Sequence, residues 1–83
     1  MNIDPKKYGL NTRTVLIENE QKEIIIVINR KSRIIMKDGR KILEKARKIQ
    51  QQENKTIRVR TDAPVCSKTK QHLQKNGIEI KER

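Results

Sequence analysis

The sequence predicts an α/β protein, a two-layer sandwich in which two helices pack on one face of a four-stranded mixed sheet. Two β-branched runs precede the first stretch of helical periodicity, and the predicted elements follow the order ββαβαβ. The third predicted strand alternates apolar and basic residues, which is typical of a sheet with one covered and one open face. Right-handed connections between neighbouring strands would give the strand order 1-2-3-4, with both helices on the same side.

The first two predicted strands form a hairpin. Residues 14–18 (TVLIE) and 23–28 (EIIIVI) are rich in β-branched side chains, and the polar segment NEQK separates them. The second run is apolar on both faces, so we expect a strand with a neighbour on each side.

The first helix is predicted from Ile35, Ile42, Ala46 and Ile49, which recur at helical spacing. Ser32 is the expected N-cap, and the polar residues 50–54 mark the end. An alternative is that Asp38 caps a helix starting near residue 39, which would make 33–36 (RIIM) a third hairpin strand.

The remaining elements are two short strands and a second helix. In 56–60 (TIRVR), Ile57 and Val59 point to one face of the sheet and Arg58 and Arg60 to the other. A helix is expected over about 65–76, ending at Gly77, and 77–80 (GIEI) form a short last strand with a possible free edge.

The chain is predicted to be one small domain over residues 13–83, preceded by a flexible arm at 1–12. Tyr8 is the only aromatic residue, so the core must be aliphatic and built mainly from the thirteen isoleucines. No apolar run is long enough to span a bilayer, and the start lacks the apolar stretch of a signal peptide. We therefore expect a soluble, cytoplasmic protein without membrane contact.

Charge is the strongest functional signal. The chain carries 21 Lys and Arg against 10 Asp and Glu, for a net charge of +11. Residues 29–60 hold twelve positive and three negative charges, so this segment alone contributes +9 to the net charge. A concentrated positive field attracts polyanions such as RNA or DNA.

Most of these charges fall on the predicted first helix and the loop before it. Lys37, Lys41, Lys45 and Lys48 form a row about 16 Å long on the polar side of the helix, at 1.5 Å per residue. Arginine can hold phosphate with two parallel hydrogen bonds. The predicted nucleic-acid-binding residues are Arg30, Lys31, Arg33, Lys37, Arg40, Lys41, Lys45, Lys48, Arg58 and Arg60.

The single cysteine lies in a T-x-x-P-x-C-x-x-x-K-x-x-L segment between two predicted strands. This segment, within 57–80, resembles the active-site segment of glutaredoxins, although Ala63 occupies the position of their attacking cysteine. Because one cysteine cannot perform dithiol chemistry, we do not assign the chain to that family. Cys66 and Leu73 share a helical stripe, so we expect Cys66 to be packed and unreactive.

No catalytic, metal or cofactor site is predicted. Glu20 and Lys22 match the E-x-K fragment of some metal-dependent nucleases, but they lie in a predicted turn without a clear partner aspartate. His72 is expected to be exposed, and no second histidine could complete a metal site with it. An enzyme, whether dependent on Cys66 or on a metal, is the least favoured class.

The sequence thus favours a small nucleic-acid-binding protein that contacts backbone phosphates of RNA or DNA through the basic helix and the loop before it. The scarcity of aromatic side chains disfavours recognition by base stacking. The alternative is a protein-interaction or oligomerisation module, in which the open sheet face or the edge strand forms a homodimer.

Overall fold

The computed structural model describes residues 2–11 and 14–82 of the chain. Its helices and strands follow in the order β1 (Asn2–Ile3), a 3-10 helix (Pro5–Tyr8), β2 (Val15–Glu18), β3 (Ile24–Ile28), α1 (Met36–Gln52), β4 (Ile57–Thr61), α2 (Ser67–Lys75) and β5 (Glu79–Glu82). The predicted α/β class with a mixed sheet and two helices is confirmed, but the sheet has five strands instead of four.

The sheet is antiparallel in its first half and parallel in its second. Its strand order is β1-β2-β3-β4-β5, with β1, β2 and β3 paired antiparallel and β3, β4 and β5 paired parallel. The hairpin β2–β3 forms at the β-branched runs, and its turn includes Lys22 at φ 62°. Each parallel pair is joined through a helix, as parallel strands require.

Alternation along the strands separates a covered face from an open one. Ile24 and Ile26 of β3, together with Ile57 and Val59 of β4, are buried beneath the helices. The intervening residues of both strands face the other side of the sheet, where Ile25 lies beside Arg58 and Val27 beside Arg60. Arg60 is exposed and the other three side chains are half-buried. The sequence prediction that β4 has one covered and one open face is therefore confirmed.

The helix α1 begins later than its apolar stripe predicts. Met36 is its first residue, and the Asp38 carboxylate accepts a hydrogen bond from the Ile35 backbone N–H at 3.1 Å. Ser32 is therefore not the cap, and Ile35, placed in the apolar stripe by its spacing, is 49% exposed. Ile34 instead forms a parallel bridge with Val65, so residues 33–36 make no third hairpin strand.

Residues 2–11, which the sequence predicts as part of a flexible arm, pack against the rest of the domain. Asn2 and Ile3 add an edge strand beside β2, while Tyr8 and Leu10 are 2% and 7% exposed within the core. Gly9 closes the 3-10 helix at φ 72°, in the left-handed region that favours glycine. Of the predicted arm and domain, residues 1, 12, 13 and 83 lie outside the described part of the chain.

The helices approach each other closely at one glycine. Gly39 of α1 is buried, and a Cβ added there would lie 2.6 Å from Cγ2 of Thr69 on α2. This contact explains why a residue of low helix propensity stands near the start of α1, since any larger side chain would separate the two helices.

Candidate nucleic-acid interface

The outer side of α1 presents a basic surface to solvent. Its inner side buries Ile42, Ala46 and Ile49, so the intervening positions must face outward. Among the exposed residues of α1, all of which the structure describes, Glu44 is the one acidic side chain. Five basic residues of this helix, four of them predicted for binding, are exposed: Lys37, Arg40, Lys41, Arg47 and Lys48.

The loop between β3 and α1 continues this surface, but its first arginine, Arg30, makes hydrogen bonds and an ion pair within the chain. The Arg30 guanidinium donates to the Ser32 carbonyl at 3.1 Å and to the Arg33 carbonyl at 3.3 Å, and it pairs with Asp38 at 3.2 Å. Arg30 therefore holds the loop against the start of α1. Lys31 and Arg33 remain exposed on the loop that it fixes.

The same contacts affect the pKa of the Asp38 carboxyl. The backbone N–H of Ile35 and then the Arg30 guanidinium hold the pKa of its carboxyl below the usual range. The carboxylate thus stays charged and anchors both the helix start and Arg30. This arrangement uses one acidic and one basic residue of the segment for structure.

On the open sheet face, the two predicted arginines have different surroundings. Arg58 pairs with Glu23 at 3.1 Å and with Glu79 at 3.5 Å. Arg60 is exposed and lines a cavity of about 490 Å³ together with Asn29 and Lys81. Lys81 is not among the predicted residues; it lies on β5, which runs to Glu82, two residues beyond the predicted end of the last strand.

The helix surface and the open sheet face meet at the carboxyl ends of the parallel strands. Lys45 is half-buried and lines a depression with Thr14, Val27 and Asn29. Val27 and Asn29 also line the cavity that contains Arg60. A continuous path therefore connects the lysine row of α1 with Arg60, although the two lie in different layers of the sandwich.

Two acidic residues outside α1 are held in local contacts. Glu82 accepts from Lys70, and Glu18 accepts from Lys55. By contrast, no ion pair within residues 2–11 and 14–82 involves any of eight basic side chains predicted for binding: Lys31, Arg33, Lys37, Arg40, Lys41, Lys45, Lys48 and Arg60. These eight charges are therefore available to a ligand without the loss of an ion pair among the described residues.

Cys66 is less buried than its sequence position predicts. It precedes α2 as the N-cap residue and is half-buried, while Leu73 of the same stripe is fully buried. The backbone N–H groups of Lys68 and then Thr69 favour the thiolate and lower the pKa of Cys66. The prediction of a packed cysteine is thus wrong in its degree of burial.

The other residues considered for chemistry do not come together. Glu20 and Lys22 are exposed in the turn between β2 and β3, and His72 is half-buried on α2 instead of exposed. Across the described residues, no group of three His, Cys, Asp or Glu side chains could hold a metal ion. Nor does this part of the chain contain a helix long and apolar enough to cross a membrane.

Two solved structures share this fold, while no family model and no curated protein matches the sequence. One is a repair endonuclease from Pyrococcus abyssi, with a TM-score of 0.70 and 13% identity over 83% of this chain and 31% of that chain. The other is EndoMS in a complex with double-stranded DNA, with a TM-score of 0.73 and 18% identity over 90% of this chain and 32% of that chain. The chain thus spans about a third of each, and the likeness is one of fold.

Proposed function

We propose that this chain is a nucleic-acid-binding domain that contacts the phosphate backbone of duplex DNA through α1 and the loop before it. The observation that carries the proposal is the set of eight basic side chains without ion pairs on one connected surface. Such a surface favours a polyanion because each bound phosphate releases counterions from the duplex.

The burial of Tyr8 supports binding to the phosphate backbone of the nucleic acid instead of to its bases. It is the only aromatic residue of the chain, it is 2% exposed, and its hydroxyl donates to Glu53. Stacking on unpaired bases requires an accessible aromatic ring or guanidinium plane. With the ring buried, aromatic stacking does not contribute, so we expect binding to rely mainly on charge, and a duplex offers the densest array of phosphates.

The choice of DNA follows from the fold comparison. EndoMS, whose fold is similar, is described in a complex with double-stranded DNA. Duplex RNA and single strands are therefore the competing ligands, and they belong in the same binding experiment.

The proposal is tested with labelled duplex DNA, single-stranded DNA and duplex RNA, by fluorescence anisotropy between about 50 and 200 mM salt. The key variant changes Lys37, Lys41, Lys45 and Lys48 to Gln. A matched control changes Lys6, Lys22, Lys68 and Lys75 to Gln, so both proteins carry a net charge of +7, four less than +11.

We expect the α1 variant to bind duplex DNA more weakly at every sequence and to lose about 0.9 of the logarithmic salt slope for each phosphate contact removed. The control should remain close to the parent protein. Equal weakening of both variants would show that the net charge, and not the position of the four lysines on α1, determines the affinity for DNA. Preference for duplex RNA or for single strands would reject duplex DNA as the ligand.

A further inference from the structure

The strand β5 leaves one edge of the sheet open. It pairs with β4 through Arg58–Glu79 and Arg60–Lys81, and no described strand lies on its other side. An exposed edge offers unpaired backbone N–H and C=O groups to another strand. At the opposite edge, β1 is only two residues long, so β5 is the longer free edge.

The charges along β5 are arranged to complement a second copy of the same strand. Glu79 and Lys81 are exposed on the open face, on either side of the buried Ile80. In an antiparallel pair centred on Ile80, Glu79 of each copy lies directly opposite Lys81 of the other. We propose that two copies of this chain form a symmetric dimer through β5, with two Glu79–Lys81 ion pairs across the interface.

The register of this pairing follows from face and charge together. A shift of one residue would place the covered face of one copy beside the open face of the other. The helices of the two copies would then lie on opposite sides of the joined sheet. A shift of two residues in one direction places Glu79 opposite Glu79, and in the other direction Lys81 opposite Lys81. Like charges directly opposite are unfavourable, so the register centred on Ile80 is selected.

The flank of α2 that borders this edge is compatible with the same dimer. Lys70 lies on this flank and pairs with Glu82 of β5 at 3.4 Å. Ser67 and Gln74, one turn before and after Lys70, are exposed and uncharged. The second copy therefore meets polar side chains and a neutralised lysine, while the basic surface of α1 remains free.

The dimer is tested without nucleic acid, so that its outcome is separate from that of DNA binding. Sedimentation velocity over a series of protein concentrations should show the mass rising from 9.8 kDa toward twice that value. Three variants decide the register: Glu79→Lys, Lys81→Glu and the double exchange Glu79→Lys/Lys81→Glu. Thermal unfolding of each variant shows that it is folded, since Glu79 also contacts Arg58.

Each single variant should weaken self-association about tenfold or more, because both cross-strand pairs become repulsive. The double exchange restores opposite charges at both positions and should restore the dimer. Mixing the two single variants should also produce a heterodimer, because two lysines on the strand of Glu79→Lys then face two glutamates on the strand of Lys81→Glu.

Net charge alone predicts opposite effects of the two single variants, whereas the β5 dimer predicts that both weaken self-association. Lys81→Glu lowers the net charge from +11 to +9 and would then improve association, while Glu79→Lys raises it to +13 and would weaken it. That order of affinities would overturn the β5 dimer. So would a parent protein that stays monomeric at every concentration, or a double exchange that fails to dimerise while folded.

Discussion

At the scale of single residues, Glu53 connects three parts of the chain. Its carboxylate accepts from the Tyr8 hydroxyl, pairs with Lys7 at 3.1 Å and lies 3.5 Å from Lys55. The hydrogen bonds from Tyr8 and Lys7 lower the pKa of Glu53 to about 2. Burial, and then the bond to Glu53, raises the pKa of Tyr8 to about 12. The end of α1 is thereby tied to the N-terminal segment.

These pKa values predict a loss of stability in acid. A carboxyl with a pKa lowered from 4.5 to about 2 stabilises the folded state above pH 4.5, and this contribution disappears as the pH falls toward 2. In Glu53→Gln the free energy of unfolding should be lower at neutral pH and should change less over that acid range. Urea unfolding at several pH values measures both effects.

The control for this prediction is Glu44→Gln, an exposed residue of the same helix. It should keep the acid dependence of the parent protein. An unchanged pH profile in Glu53→Gln would show that Glu53 does not act through its carboxylate.

At the scale of secondary structure, local patterns located β2, β3 and β4 well and the start of α1 poorly. The β-branched runs at 14–18 and 23–28 became β2 and β3, and the alternation at 56–60 became β4 within one residue. The apolar spacing, which includes Ile35, and the expected cap at Ser32 extend α1 too far toward its start. Ile34 is buried through its bridge to Val65, and that contact cannot be read from local periodicity.

The packing of α1 on α2 gives a prediction at this scale. Gly39→Ala would gain helix propensity of about 1 kcal/mol, but its Cβ would collide with Cγ2 of Thr69. We expect a net destabilisation of about 1–3 kcal/mol, since overpacking forces backbone or side-chain shifts. Chemical denaturation measures the change.

Thr69→Ser removes the methyl group that causes this collision and keeps the hydroxyl. The double variant Gly39→Ala/Thr69→Ser should therefore recover most of the stability lost in Gly39→Ala. Equal stability of Gly39→Ala and the parent protein would show that the helices separate without cost.

At the scale of the whole molecule, the N-terminal segment completes a small aliphatic core. The sequence of 1–12 has no periodicity, so its role depends entirely on long-range contacts: Tyr8 and Leu10 close the core, and Asn2 and Ile3 pair with β2. The same limit applies to the candidate interface. Composition located the basic segment, but the ion pairs that occupy Arg30 and Arg58 involve Asp38, Glu23 and Glu79, and only the fold brings these together.

Substitutions of Tyr8 test whether the N-terminal segment contributes to the stability of the domain. Tyr8→Ala should destabilise the protein by about 3–5 kcal/mol, because it removes a buried ring and leaves a cavity. Tyr8→Phe, which keeps the ring and loses only the hydrogen bond to the charged Glu53 carboxylate, should cost about 1.5–3 kcal/mol. If both variants unfold at the same denaturant concentration as the parent protein, the segment contributes nothing to stability.

The bridge between Ile34 and Val65 has a consequence for the motion of the two loops that it joins. The Ile34 N–H donates to the Pro64 carbonyl, and the Cys66 N–H donates to the Ile34 carbonyl, each at 2.9 Å. These amides lie outside the named strands, yet they should exchange with deuterium as slowly as those of β3 and β4, while the amides of Lys31 and Ser32 exchange quickly. The loop that carries Lys31 and Arg33 is then held at its far end by this backbone bridge and, near its start, by the side chain of Arg30.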